Sequence, residues 1–152
     1  MSEDEKWSQA TLAIHSERVT DEEIAATLGL RATRTHSKGQ PRGKAGGRTF
    51  VFKDWAWLLS SPMGGDPDLV RHLKWLLDTI EPKLEALGML RANCRVVLSC
   101  GFSSGNGQGG FTLDTDTLGR IARLGIPLVL DLYPPTADLD DEGVIEQNDS
   151  TV

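Results

Sequence analysis

Three histidines, two cysteines and one run of basic residues carry the reactive side chains of this 152-residue sequence. The histidines are His15, His36 and His72, and no two stand at the spacing of about three to five residues by which one helix or turn presents metal ligands. No HExxH or CxxC pattern occurs either. Motif spacing therefore predicts no metal and no cofactor. His15 reads as a strand residue at the sheet surface, and His72 as a helix-face residue beside Leu69 and Leu73. His36 has the more informative setting. It lies among Arg31, Arg34, Lys38, Arg42, Lys44 and Arg48, with no acidic residue between Arg31 and Arg48. Guanidinium and ammonium groups on a glycine-rich loop suit a phosphate, a nucleic acid or an acidic protein surface. A solvated loop, or one neutralised by the chain's own acidic tail, is the plainer reading.

Two glycine patterns imitate nucleotide-binding motifs. Gly105-x-Gly107-x-x-Gly110 follows a strand, but the next helix opens at Asp114, beyond the last glycine, and Asp114 and Asp116 would face the phosphate. It reads as a flexible loop or hairpin turn. Gly39 to Ala45 has too few residues between its glycines for a phosphate loop, and Ala45 replaces the metal-binding hydroxyl. Cys94 and Cys100 fall on one face of an extended run, about 20 Å apart, beyond disulfide reach. Buried, reduced thiols are expected.

The elements that position these groups are legible from local signals. Residues 11–19 read as a strand. Thr20 and Glu23 then form a capping box for a short helix that stops at Gly29. Residues 31–47 read as a loop with a short strand near 33–37, and 49–60 as one long strand rich in aromatic and β-branched types. On that strand Trp55 and Trp57 share a face, either packed under a helix or forming an exposed contact patch. Asp66-Pro67 marks the start of the longest helix, Pro82 a kink or restart within it, and Gly88 its end. Residues 94–102 form a further strand. Leu113 and Leu118 bracket Asp114 as a hydrophobic staple that opens a helix ending at Gly125. Residues 126–133 are almost continuously apolar, which predicts a central strand. Within it Asp131 must lie at a sheet edge or be hydrogen-bonded, with Tyr133 on the same face as a partner or part of a cleft.

Helices interleaved with strands predict an α+β fold, a single two-layer α/β sandwich with a mixed or mostly antiparallel sheet of four to five strands and about three helices, ferredoxin-like in style. The expected boundaries are an N-terminal extension over residues 1–10, one domain over 11–135 and an acidic, disordered tail over 136–152.

In order, these features resemble a bacterial family of uncharacterised proteins known as domain of unknown function 4279. The resemblance runs from Thr11 to Tyr133. It rests on the opening strand, Leu28-Gly29-Leu30, the Thr33…Lys38-Gly39 segment and the Trp57-x-Leu59-x-Ser61 strand. The long helix follows, then Leu113-Asp114-x-Asp116-Thr117-Leu118, Leu124-Gly125 and Leu130-Asp131-Leu132-Tyr133. It implies a small α/β domain and brings no catalytic residues with it.

Charge and composition narrow the function. The net charge is −6, and the basic segment contributes +6 of opposite sign, leaving −12 on the remainder. A body that acidic repels nucleic acid at long range. No apolar run is long enough for a membrane span, and Met1 leads into acidic residues instead of a basic leader. A cytoplasmic protein with no membrane partner is expected. The leading expectation is a non-catalytic module that binds another protein; an immunity protein that neutralises a toxin is one concrete version. A small anionic-ligand or phosphate-binding domain using residues 31–48 is the alternative, and an enzyme of unassigned class the third. An uncovered Trp face would favour a homodimer. The candidate binding residues are Arg34, His36, Lys38, Arg42, Trp55, Trp57, Asp131 and Tyr133, with no catalytic or metal-ligating residue assigned.

Overall fold

A computed structural model describes residues 6–105 and 109–133. Its first element, β1 (Lys6–Ser16), begins well before Thr11, so part of the expected N-terminal extension is paired into the sheet. The partly exposed Trp7, Gln9, Thr11 and His15 alternate along β1 with the buried Ser8, Ala10, Leu12, Ile14 and Ser16, the period-2 signature of a strand, broken only at Ala13, which is buried too. Helix α1 (Asp21–Leu28) carries the expected capping box: the Thr20 hydroxyl accepts from the Glu23 amide and the Glu23 carboxylate from the Thr20 amide. Gly29, at φ 65°, closes it in the left-handed conformation.

After β2 (Arg34–His36) the chain forms a two-stranded hairpin, β3 (Pro41–Ala45) and β4 (Arg48–Val51), where the sequence reading placed a loop and the start of a long strand. Ala45 pairs with Arg48 across Gly46-Gly47, whose φ values of 58° and 76° make the tight turn that side-chain-bearing residues adopt only with strain. The expected strand over 49–60 is therefore broken at 52–54, and β5 (Trp55–Ser60) starts afresh.

Helix α2 (Leu69–Ile80) starts two residues later than Asp66-Pro67 predicts, capped by the Asp68 carboxylate on the Val70 amide. Pro82 does restart the chain, through a 3-10 turn over Glu81–Lys83 into α3 (Leu84–Leu90), which runs past Gly88. Strand β6 (Arg95–Ser104), helix α4 (Thr115–Leu124) and strand β7 (Leu128–Tyr133) complete the described fold. Asp114 caps α4 and Gly125 ends it, as the staple predicts.

The architecture is α+β in two layers. The main sheet runs β2-β5-β1-β6-β7, antiparallel except for the β6–β7 pair. Ile14, Leu12, Trp57, Leu59, Val96 and Leu98 turn one face of it onto Ile24, Leu28, Leu73, Leu76, Leu77 and Leu87 of the helices. Arg120 of α4 clamps the helical layer together, its Nε 2.7 Å from Glu81 and its Nη2 2.6 Å from Asp78. The apolar strand 128–133 is an edge strand, not a central one. It pairs in parallel with β6, and despite its apolarity Leu130, Leu132 and Tyr133 are exposed. No helix is long and apolar enough to cross a membrane among the described residues. The acidic tail and the Gly107 part of the 103–110 loop lie outside the described residues.

Candidate functional site

The centre of the site is a small residue. Ala56, fully buried in β5, is the register partner of His15 on β1 and of His36 on β2. The two histidines thus stand on the same sheet face, one strand to either side of a methyl group. Their Cα atoms are separated by about two strand spacings, roughly 10 Å. The rings lean in over the methyl until their centroids are 5.8 Å apart. Asp54, two residues before Ala56 in the break between hairpin and strand, closes the gap. Its Oδ2 lies 3.1 Å from His15 Nδ1 and its Oδ1 3.0 Å from His36 Nε2. Phe52 covers the far side of His36, stacked with centroids 3.7 Å apart.

Burial holds the His15 imidazole below its ordinary pKa, outweighing the Asp54 carboxylate; Arg95 and His36 add to the lowering. Burial raises Asp54, but the hydrogen bond with His36 and the proximity of His15 hold its carboxyl below the ordinary value. The two directions are compatible, because a neutral imidazole still donates one N–H to a carboxylate.

Two clefts meet at Asp54. One, of about 450 Å³, is lined by His15, Asp54 and Cys94 together with Arg18, Arg91 and Arg95. The other, of about 670 Å³, lies under the hairpin between Arg42, Lys44, Phe50 and Phe52. The hairpin itself is exposed along its whole length, with Phe50 51% exposed and Val51 beside it.

The model of the family described as a domain of unknown function, DUF4279, matches residues 5–135. The chain belongs to that family. No curated protein and no solved structure matches it. The match begins at residue 5, consistent with a DUF4279 fold whose first strand starts at Lys6.

Within the DUF4279 domain, the residues singled out from sequence divide into three groups. His36, Lys38, Arg42 and Trp55 gather at the hairpin base: Lys38 Nζ donates to the Glu17 carbonyl and lies 5.4 Å from the Trp55 ring centre, and Arg42 lies 5.9 Å from that of Phe52. Arg34 is exposed on the same strand as His36, two residues away. Trp57 is a correction. It is fully buried opposite Ile14 and belongs to the core, because the strand face it shares with Leu59 is the one the helices cover. Asp131 and Tyr133 form the third group, on the opposite edge of the sheet. Asp131 is exposed there, and Tyr133 meets Trp7 edge-on at 5.9 Å.

Sequence reasoning missed His15 and Asp54 as site residues and found no histidines in company. Asp54 is 39 residues from His15 and 18 from His36, so no local spacing reports the cluster. His72 is fully buried: its Nε2–H donates to the Asp66 carbonyl at 2.8 Å and its Nδ1 accepts from the Ser61 hydroxyl. That pair pins the loop between β5 and α2 and is closed to any substrate.

Proposed function

We propose that the protein is a binding module for another protein, and that the β3–β4 hairpin engages an acidic surface carrying an apolar recess. The observation behind this reading is the hairpin's own construction. Two strands that pack on little else are marginal in water, and this pair leaves Phe50 and Val51 exposed beside Arg42, Lys44 and Arg48. An aromatic anchor ringed by cations on a projecting ribbon suits a complementary acidic partner. The chain outside residues 31–48 carries a net charge of −12, so the ribbon stands out as a basic segment that such a partner attracts.

The test is capture of a partner by the full chain at low and moderate salt, comparing wild type with Phe50→Ala, Arg42→Glu/Lys44→Glu and, on the far edge, Leu132→Asp. Loss of the partner with the hairpin variants and with salt, and its retention by Leu132→Asp, supports the reading. Phe50→Ala is expected to weaken binding at least about tenfold. Equal capture by all variants, or no partner in any lane, overturns it.

A second reading has its own observation. The cleft beside His15 gathers Arg18, Arg91 and Arg95, a donor set that fits a small phosphate or carboxylate. Thermal stabilisation by inorganic phosphate, abolished by Arg95→Ala, would favour it.

A further inference from the structure

We propose that His15, His36 and Asp54 form a binding site for one divalent transition-metal ion of the zinc class. One ligand atom from each of His15, His36 and Asp54 lies within 4.8 Å of the other two. Two neutral imidazoles and one carboxylate are the borderline donors that zinc, cobalt and nickel prefer, and their net charge of about −1 suits a dication. Bonds of about 2.0–2.1 Å at tetrahedral angles put ligand atoms about 3.3 Å apart. His15 Nδ1 lies 3.1 Å from Asp54 Oδ2 and His36 Nε2 3.0 Å from Asp54 Oδ1, so an ion would replace these two contacts after a modest rotation of the carboxylate and rings.

Three features mark this as a built site and not a chance meeting of polar groups. The residue between the histidines is alanine, and any larger side chain on that sheet face would fill the space in which the rings converge. Phe52 stacks flat on His36 and so limits its rotation, the orienting role that surrounding residues play at metal sites. The ligands are half-buried, with side chains 15–29% exposed, which leaves an entry path. That path is the cleft bearing Arg18, Arg91 and Arg95, so the ion's remaining coordination positions face water or an anion attracted by those arginines. The alternative occupant of the same geometry is nothing at all, with Asp54 simply accepting a hydrogen bond from each ring.

The deciding experiment titrates the untagged full chain, first stripped with chelator, with zinc chloride in a calorimeter. In parallel, histidine ring nitrogens are followed by long-range proton–nitrogen NMR. One equivalent is expected to bind, shifting Nδ1 of His15 and Nε2 of His36 while His72, locked between Ser61 and the Asp66 carbonyl, stays fixed. His15→Ala and His36→Ala are expected to abolish that equivalent, Asp54→Asn to weaken it, and Phe52→Leu to weaken it about tenfold. The NMR arm needs no variant, so a substitution that unfolds the chain leaves the answer intact. Saturation without movement of the His15 and His36 nitrogens, or no saturable binding by the wild type, overturns the site.

Discussion

The imidazole of His36 and the ring of Phe52 lie face to face, their planes 12° from parallel. The stack joins the last residue of β2 to the break between β4 and β5, and therefore ties the hairpin to the main sheet. Two backbone bonds reinforce it, Gly39 N–H to the Phe52 carbonyl at 2.8 Å and Phe52 N–H to the Gln40 carbonyl at 2.9 Å. Phe52→Leu keeps the backbone bonds and most of the apolar bulk but removes the ring. It is expected to cost about 1 kcal/mol in urea unfolding. The His36 ring protons are expected to move downfield in the NMR spectrum, since they lose the shielding of the stacked ring. Unchanged shifts would mean that the two rings do not stack in solution.

Trp57 and Phe50 should separate stability from binding. Trp57 is fully buried against Ile14 and the helical layer, so Trp57→Ala leaves a large cavity and is expected to cost about 3–5 kcal/mol. Phe50 is half exposed on the hairpin, and Phe50→Ala is expected to change stability by no more than about 0.5 kcal/mol. Partner capture should respond in the opposite order, tested on protein that circular dichroism shows to be folded. A stability loss for Phe50→Ala comparable to that of Trp57→Ala would place the hairpin within the core instead of outside it.

What the sequence disclosed was local. The Thr20–Glu23 box, the Asp114 cap, the Gly29 and Gly125 stops and the restart at Pro82 each depend on residues within one helical turn, and each stands where the spacing puts it. The hairpin carried a local signal too: Gly46-Gly47 between two short runs of strand-compatible residues is a two-residue turn, obscured by the charges around it. The edge position of β7 carried none, because an apolar run reports burial on average and says nothing about which strand lies beside it. The His15–Asp54–His36 cluster is the extreme case. Its members come from three segments and meet only because β1 and β2 flank β5 in the sheet order, with Ala56 in register with both.

The Arg120 clamp predicts a specific acid response. The Arg120 hydrogen bond, over a small opposing effect of burial, holds the Glu81 carboxyl below its ordinary value of 4.5. A carboxyl depressed in the folded state contributes stability that is complete above its unfolded value and is lost as pH falls through the folded one. Thermal midpoints should therefore be insensitive to this pair between pH 7 and about 5, then fall below about 4.5. Arg120→Ala is expected to lower the midpoint by about 3 °C at pH 7 and to flatten the acid slope. An identical slope in wild type and variant would show that other carboxylates govern acid unfolding.

Both thiols should be poor nucleophiles in the native protein. Burial pushes Cys100 up to about 12, and it also raises Cys94, against a smaller pull from the Ser16 hydroxyl. Since the thiolate is the reactive form, a disulfide reagent at pH 8 is expected to titrate Cys100 only after denaturation. Native reaction at Cys94 should run at least about tenfold slower than at a free thiol. A fast native reaction at Cys100 would mean that β6 opens readily from the sheet.

Gly65 tests whether the N-terminal end of β1 belongs to the fold. A Cβ placed on Gly65 would sit 2.6 Å from Trp7 Cδ1, far inside contact distance, and Trp7 is itself wedged over Gly101 and against Tyr133. The ring occupies the space that a side chain on Gly101 would take, and its edge contact with Tyr133 limits how far it can swing aside. Gly65→Ala is thus expected to cost about 1–3 kcal/mol through overcrowding, although the glycine lies in an irregular loop where alanine is ordinarily harmless. Combining it with Trp7→Ala should restore most of that loss relative to Trp7→Ala alone, a non-additivity that only direct contact produces. If the two substitutions add independently in thermal unfolding, Trp7 does not pack over the loop, and β1 is anchored only from Ser8 onward.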